Sequence, residues 1–224
     1  QPIPTMLDVP GPEIRTAPLS GETVIETGEE YRLVEGETVT DSTVGVSHSL
    51  AAVEPGDRVL LDDGRIETTV RRVEAETVVV SVDSGGALGG RKGVNVPGVS
   101  LDLPAVTESD RRELELAAEM EVAYVAASFV GDATDVYAVR EQIESFGAEI
   151  PVIAKIERAD AVENLDGILA AADGVMVARG DLGVECPLEQ VPLVQKRIVN
   201  RAQRAGGPVI TAPATRDSIR HARR

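Results

Sequence analysis

Aromatic residues are scarce in this sequence: they make up 2% of its 224 residues, and tryptophan is absent. The core must therefore consist of aliphatic side chains, since 42% of the residues are apolar. A single cysteine, Cys186, excludes an internal disulfide and a zinc site of several thiolates, and fits a reducing compartment. No apolar run approaches the length of a transmembrane helix and no charged-then-apolar leader is present, so we expect a soluble, cytoplasmic protein without a membrane partner.

Lysine is also rare, because only Lys92, Lys155 and Lys196 occur among the 22 basic residues. With 38 acidic residues the formal net charge is −16, which argues against nucleic acid and anionic membrane surfaces as partners. An acidic, lysine-poor, Ala- and Val-rich composition is typical of proteins from a salt-loaded cytoplasm, where ions screen the self-repulsion. An ordinary acidic protein is the alternative interpretation.

Strand-like and helix-like segments alternate from Val106 onward. Apolar runs predict strands at residues 3–9, 122–130, 151–157, 174–180 and 208–212. A capping box at Thr107 and Asp110 opens a first helix, and others are predicted at 132–143, at 160–169 and through Val191 to the C-cap at Gly206-Gly207. The repeat predicts an α/β fold with a parallel sheet.

Residues 17–94 interrupt this alternation with short β-branched runs. Asp62-Asp63-Gly64 is a strong hairpin signal between two of these runs. We therefore expect a small β-barrel or sandwich inserted into the α/β domain, with residues 91–98 as a Gly/Pro-bounded hinge. The predicted domains are 1–16, a strand leading into the insertion; 17–94, the insertion; and 95–224, the βα units.

Charged residues stand where two of the predicted strands end. Lys155 and Glu157 are two apart, so in a strand their side chains point the same way. Asp181 follows Gly180, whose small size lets a ligand approach the backbone. An ammonium and two carboxylates at the carboxyl ends of parallel strands favour Mg²⁺-assisted phosphoryl or enolate chemistry.

Five motifs together resemble pyruvate kinase, in the order of that family. They are Met6-Leu-Asp-Val-Pro-Gly-Pro-Glu-Ile-Arg-Thr16, Lys92-Gly-Val-Asn-Val-Pro-Gly98, Ala127-Ser-Phe-Val130, Ala154-Lys-Ile-Glu157 and the segment from Met176 to Glu185. The resemblance implies a TIM (β/α)8 barrel with an inserted β-barrel lid, and phosphoryl transfer from phosphoenolpyruvate to ADP, giving pyruvate and ATP. It also implies Mg²⁺ (or Mn²⁺) and K⁺ as cofactors, and a homo-oligomer for full-length members.

The chain is shorter than this architecture requires, because a complete barrel needs about 250 residues besides any insertion. Against the family, the first two βα units, the last one and the C-terminal domain are missing. The sequence thus predicts a partial barrel, a fragment or pared-down relative. We expect the 224-residue chain to turn over slowly or not at all.

The resemblance assigns the phosphoryl-transfer roles residue by residue. Lys155 is the catalytic cation, although a structural ion-pair role is the alternative for this residue. Glu157 and Asp181 are the Mg²⁺ ligands, and Asp181 could also serve as a helix N-cap. The substrate-binding residues are Ala178, Arg179, Gly180 and Asp181, the first three through backbone N–H groups. Ser128 is expected to support the site without touching the substrate.

The K⁺ and nucleotide roles are also assigned by resemblance. Asp8 and the backbone carbonyl of Val9 match the K⁺ ligands, and Glu13 matches the glutamate of K⁺-dependent members. The motif departs from the family here, since Val9-Pro10 replaces the usual Thr-Lys. Arg15 and Lys92 match nucleotide-phosphate contacts, with solvated basic side chains as the alternative.

A second departure lies near the C-terminus. Pro213 stands where the family has a threonine that helps to protonate the enolate, and proline carries neither hydroxyl nor N–H. Thr215 comes two residues late, and His221 is not a convincing base. Two other functions therefore stay open: a non-catalytic binding or assembly remnant of such a barrel, and another Mg²⁺-dependent phosphoenolpyruvate or pyruvate barrel enzyme.

Overall fold

A computed structural model describes residues 3–212, so Pro213, Thr215 and His221 lie outside the described residues. This part of the chain divides into two compact units. The first holds the residues up to Pro12 and those from Leu103 onward, and begins with strand β1 (Met6–Val9). The second comprises Glu13–Asp102. No helix within residues 3–212 is long and apolar enough to cross a bilayer.

The second unit is built from strands alone. They are β2 (Ile14–Arg15), β3 (Glu22–Ile25), β4 (Glu30–Glu35), β5 (Val39–Thr40), β6 (Thr43–Val46), β7 (Arg58–Leu61), β8 (Ile66–Glu74), β9 (Thr77–Ser84), β10 (Gly86–Gly89) and β11 (Gly93–Asn95). Eight form one sheet in the order β2-β11-β7-β8-β9-β4-β6-β5, and β3 pairs with β10 separately. Only the β4–β6 pair of the large sheet is parallel. An isolated bridge joins Thr16 to Val46, so strands near the two ends of the large sheet meet.

The hairpin predicted at Asp62-Asp63-Gly64 is confirmed, and it connects β7 to β8. Leu61 pairs with Ile66, and the three turn residues all have positive φ, namely 51° at Asp62, 55° at Asp63 and 80° at Gly64. Aspartate and glycine are among the residues that tolerate this left-handed conformation. The turn chemistry of the sequence thus determines the register of the two strands.

The first unit alternates helices and strands after β1. They are α1 (Glu108–Glu119), β12 (Tyr124–Ala127), α2 (Ala133–Ser145), β13 (Val152–Ile156), α3 (Ala159–Glu163), α4 (Leu165–Ala171), β14 (Gly174–Ala178), α5 (Arg179–Glu185), a 3₁₀ turn (Leu188–Gln190), α6 (Val191–Ala205) and β15 (Val209–Ala212). The five strands form a parallel sheet in the order β1-β12-β13-β14-β15. The predicted α/β fold with a parallel sheet is therefore confirmed.

Two helices carry the end signals that the sequence predicts. Thr107 and Asp110 form the predicted capping box of α1, and α6 ends at Gly206, whose φ is 84°. Aliphatic side chains from the helices and from alternate strand positions form one buried core, with Leu114, Ile143 and Ile168 among its largest members. The opposite face of each strand is free to present functional groups.

Several predicted boundaries are wrong, and the strand predicted at 3–9 begins only at Met6. Strand β12 ends at Ala127 because Phe129 has φ 56°, outside the strand region. Strand β14 ends at Ala178 because helix α5 starts directly after it. The helix predicted at 160–169 is two helices that meet at Asn164, whose side chain donates to the Gly131 carbonyl at 3.0 Å.

Candidate functional site

Strand register brings three predicted site residues to one face of the parallel sheet. Asp8 pairs with Ala126, and Ala126 pairs with Ile153. Because side chains alternate with a period of two, Ser128 follows Ala126 and Lys155 follows Ile153 on the same face. The structure accordingly places the Lys155 ammonium 2.8 Å from Ser128 Oγ and 3.2 Å from Asp8 Oδ1.

The Lys155 ammonium has three acceptors, which matches its three N–H donors. Besides Ser128 and Asp8 it contacts Glu157 Oε1 at 3.0 Å, as expected for two residues on one side of a strand. Its side chain is only 14% exposed. Burial alone would lower the pKa of Lys155, but the carboxylates of Glu157 and Asp8 outweigh burial and raise that pKa above its ordinary value. The ammonium is a fixed positive charge at neutral pH.

Glu157 is almost completely buried, with 1% of its surface exposed. Its Oε2 accepts the backbone N–H of Phe129 at 2.7 Å. Burial raises the pKa of the Glu157 carboxyl; the Lys155 ammonium and the Phe129 N–H oppose this, and the negative charge of Asp181 adds to it. Asp181 therefore lies close enough to Glu157 for the two carboxylates to repel each other.

Phe129 is a site residue that sequence reasoning missed. Its φ of 56° is unusual for a bulky side chain and is a conformation that proteins retain mainly where surrounding contacts impose it. Here that conformation aims the Phe129 N–H at Glu157. The only available signal was its place in the Ala127-Ser-Phe-Val130 motif, which carries no information about backbone angle.

Residues 178–181 lie at the start of helix α5. Ala178 is its N-cap and Asp181 lies in its first turn, so the alternative of Asp181 as the N-cap is wrong. The first-turn N–H groups of a helix have no acceptor within the helix. A Cβ atom added to Gly180 would meet nothing within 4 Å, so the backbone there is open. Arg179 points elsewhere, since its Nε donates to the Ala212 carbonyl at 3.0 Å.

Glu157 and Asp181 are the carboxylates whose donor chemistry bears on the predicted divalent cation. Within residues 3–212 no group of three or more His, Cys, Asp or Glu side chains is arranged to hold a metal. Mg²⁺ commonly uses only one or two protein carboxylates and completes its octahedron with water and substrate oxygens. The charge of Asp181 raises the pKa of the Glu157 carboxyl, and a cation bound by both carboxylates would remove that repulsion, so their chemistry suits a divalent ion.

Asp8 and Val9, the predicted K⁺ ligands, already have partners in the first unit. The Asp8 carboxylate is 60% exposed and accepts from both Lys155 and Ser128. The Val9 carbonyl accepts the Ser128 N–H at 3.3 Å. Asp8 Oδ2 and the Val9 carbonyl oxygen can each accept a further contact. The position of Ser128 suits the supporting role expected of it, because its hydroxyl contacts Lys155 and Asp8 together.

Glu13 and Arg15 belong to the second unit and form an ion pair of 2.6 Å. The Arg15 guanidinium also donates to the Arg91 carbonyl at 2.9 Å, and its side chain is 53% exposed. Arg15 is therefore both paired and half-exposed, and the alternative of a solvated basic side chain stays open. The exposed part of the guanidinium remains accessible to an anion.

Lys92 is also paired within the second unit. Its ammonium lies 3.0 Å from Asp62 Oδ1, and the Asp62 side chain is 7% exposed. Arg65 contacts the other oxygen of the same carboxylate at 3.1 Å. Asp62 was expected only to form a turn, but the structure adds a counter-ion role that links the hairpin to Lys92. Because Asp62 and Lys92 are thirty residues apart, local sequence patterns do not predict this ion pair.

Comparison with known proteins identifies the relatives of this chain. The family model described as "Pyruvate kinase, barrel domain" matches residues 1–224. The chain is 42% identical over 220 residues to the pyruvate kinase of Clostridium perfringens, covering 96% of this chain and 46% of that protein. It is 39% identical over 225 residues to the pyruvate kinase of Clostridium acetobutylicum, covering 98% and 48%.

A pyruvate kinase from Geobacillus stearothermophilus is 42% identical over 221 residues, which cover 96% of this chain and 38% of that protein. The chain thus spans less than half the length of these curated relatives. The matches nevertheless cover nearly all of its own residues, including every motif of the candidate site. The chain therefore belongs to the pyruvate kinase family.

Proposed function

We propose that this chain carries the phosphoryl-transfer site of a pyruvate kinase, which converts phosphoenolpyruvate and ADP to pyruvate and ATP. One observation carries the proposal. The Lys155 ammonium is held against Glu157, Asp8 and Ser128 on one face of a parallel sheet, at the carboxyl side where such sheets bind ligands.

The fold that accompanies this function is a partial TIM barrel with an inserted β-barrel lid. Five parallel strands, each paired with the next strand of the first unit, are an arrangement compatible with part of a (β/α)8 barrel. The Thr16–Val46 bridge supports a closed form of the inserted sheet. The proposed domains are residues 1–16, leading into the lid; 17–94, the lid; and 95–224, the βα units.

The chemistry follows from charge placement. Lys155 neutralises the phosphoryl group in transfer, whose transition state spreads negative charge over its oxygens. Glu157 and Asp181 would hold Mg²⁺ (or Mn²⁺), which supplies further neutralisation and orients the phosphoryl oxygens. The three contacts on the Lys155 ammonium fix its position before substrate arrives, so little reorganisation is needed during the reaction.

The substrate carboxylate is assigned to the start of helix α5. The N–H groups of Arg179 and Gly180, together with that of Ala178, are proposed to bind it, since a helix N-terminus favours negative charge. The open space at Gly180 permits close approach of a ligand to the backbone. Asp181, in the same turn, is proposed to link substrate binding to the metal.

Monovalent cation and nucleotide are assigned to the remaining residues. Asp8 and the Val9 carbonyl are the proposed K⁺ ligands, with Glu13 as the determinant of K⁺ dependence. Arg15 and Lys92 are the proposed contacts for the phosphates of ADP and ATP. Each of these two cations already has a carboxylate partner, Glu13 and Asp62, so a nucleotide phosphate must compete with it.

The direct test is formation of pyruvate from phosphoenolpyruvate and ADP, with Mg²⁺ and molar KCl, in the wild-type chain and in Lys155→Met. Lys196→Met, on helix α6, is the matched control for loss of a lysine. We expect the wild-type chain and Lys196→Met to turn over below the kinase range of about 1–100 s⁻¹, and Lys155→Met to show no turnover. Equal, measurable rates in wild type and Lys155→Met would contradict the assignment, and pyruvate release without ADP would point to a different barrel enzyme.

A further inference from the structure

We propose that Asp110 is a positioning residue for the Lys155 site: its carboxylate fixes the segment that follows β1, and thereby the position of Asp8 against Lys155. This inference rests on the proposed function only in treating Lys155 as the centre of the site. The geometry on which it stands lies wholly within the first unit.

Asp110 has more contacts than a helix cap requires. It is 1% exposed, and its Oδ2 accepts the backbone N–H of Thr107 at 2.8 Å and the Thr107 hydroxyl at 2.7 Å. The bond from the Thr107 N–H belongs to the capping box of α1, whose other half is the Asp110 N–H donated to Thr107 Oγ1 at 3.1 Å. Asp110 Oδ1 accepts a third bond, of 3.1 Å, from the N–H of Gly11, which lies 99 residues earlier in the chain.

Gly11 is the one backbone donor of its segment, because Pro10 and Pro12 on either side have no N–H. Its φ is +73°, and a Cβ atom at this position would lie 2.5 Å from the Ser128 carbonyl oxygen. The segment therefore packs directly on the end of β12. Its single hydrogen-bonding proton is directed at Asp110.

Displacement of Gly11 would move residues that contact Lys155 directly. Asp8 lies three residues earlier, and its Oδ1 is 3.2 Å from both Lys155 Nζ and Ser128 Oγ. Gly11 also rests on Ser128, whose hydroxyl contacts the same ammonium at 2.8 Å. Two of the three contacts on Lys155 thus depend on where the Asp110–Gly11 bond holds this segment.

The experiment separates positioning from simple capping. Asp110→Ala and Thr107→Ala both damage the capping box, but only Asp110→Ala removes the acceptor of the Gly11 N–H. The readout is the proton–nitrogen NMR signal of the lysine ammonium groups at one pH. The chain has only three lysines, and Lys155→Arg assigns the relevant signal. The Lys92 signal, from the second unit, is the internal reference.

We expect the Lys155 signal to move in Asp110→Ala toward its position in Asp8→Asn, and to stay in place in Thr107→Ala. An unchanged signal in Asp110→Ala, or equal shifts in both variants, would overturn the proposal. If Asp110→Ala does not fold, Asp110→Glu replaces it: glutamate suits a capping box but carries its carboxylate one methylene further. In Asp110→Glu, a Lys155 signal that moves toward its position in Asp8→Asn supports positioning, and a Lys155 signal at its wild-type position refutes it. The NMR readout requires no turnover, so it distinguishes failure of this proposal from failure of the proposed phosphoryl transfer.

Discussion

Lys155 and Glu157 are charges that burial alone would disfavour, since it lowers the pKa of the ammonium and raises the pKa of the carboxyl. Each supplies the opposite charge that the other requires, at 3.0 Å. A buried pair of this kind is seldom retained for stability, because desolvation offsets most of its Coulomb energy. Its consequence here is a fixed positive charge beside the carboxylates that are proposed to hold a metal.

The dependence of the two residues on each other predicts a strong coupling free energy. Lys155→Met leaves the Glu157 carboxylate buried without its cation and should reduce the free energy of unfolding by about 3–5 kcal/mol. The double variant Lys155→Met/Glu157→Gln should recover much of this loss, because no uncompensated charge remains. Urea unfolding at neutral pH measures both quantities.

Asp8→Asn is the control for that cycle, since the Asp8 side chain is 60% exposed. An exposed ion pair contributes up to about 1 kcal/mol, so Asp8→Asn should change the free energy of unfolding only slightly. Additive effects of Lys155→Met and Glu157→Gln would mean that the ion pair does not matter to either residue.

Residue-scale prediction from sequence succeeded where partners are close in the chain and failed where they are distant. Lys155 and Glu157 are two apart, so strand periodicity alone aligns them. The Asp62–Lys92 and Gly11–Asp110 contacts join residues that only the tertiary fold brings together. Phe129 was missed for another reason, because a left-handed conformation of a bulky residue has no local sequence signal.

At the scale of elements, the hydrophobic pattern predicted every strand of the parallel sheet but made the strands longer than the structure has them. Strands β12 and β14 both stop early, at Ala127 and Ala178, where the chain turns to present its polar groups. Capping signals were more reliable, since the Thr107 box and the Gly206 C-cap act through local hydrogen bonds and backbone angles. Local chemistry thus defines helix ends better than hydrophobic pattern defines strand ends.

Packing at the start of β14 gives an element-scale prediction. A Cβ atom on Gly174 would lie 2.7 Å from Pro208 Cγ and 2.9 Å from Ile153 Cδ1, so Gly174→Ala should destabilise the fold by about 1–3 kcal/mol through overpacking. Gly207→Ala is the matched control, because its Cβ would meet nothing closer than 3.5 Å. Thermal unfolding of the two variants checks this, and an equal Tm would show that strand β15 shifts freely.

At the scale of the whole molecule, charge is the dominant feature. The net charge of −16 is spread over 38 carboxylates and 22 basic groups, so self-repulsion opposes compaction at low ionic strength. The Debye length falls from about 10 Å at 0.1 M salt to about 3 Å at 1 M. Screening over this range should therefore stabilise the chain.

We predict that Tm rises between 0.1 M and 1 M KCl and that NaCl has the same effect. A rise with both salts indicates screening, as expected of a protein adapted to a salt-loaded cytoplasm. A rise with KCl alone would instead indicate specific K⁺ binding, for which Asp8→Asn is the control variant. A Tm independent of both salts would contradict the halophilic interpretation.

The most direct test of the central claim is calorimetric titration of the chain with phosphoenolpyruvate in the presence of Mg²⁺. The claim is that the Lys155 ammonium, held by Glu157, Asp8 and Ser128, recognises the phosphoryl group. Two opposite unit charges about 4 Å apart attract by about 4 kcal/mol at an effective dielectric constant of about 20, so Lys155→Met should weaken binding by at least about tenfold while Lys196→Met leaves it unchanged. Equal affinity in wild type and Lys155→Met would contradict the account.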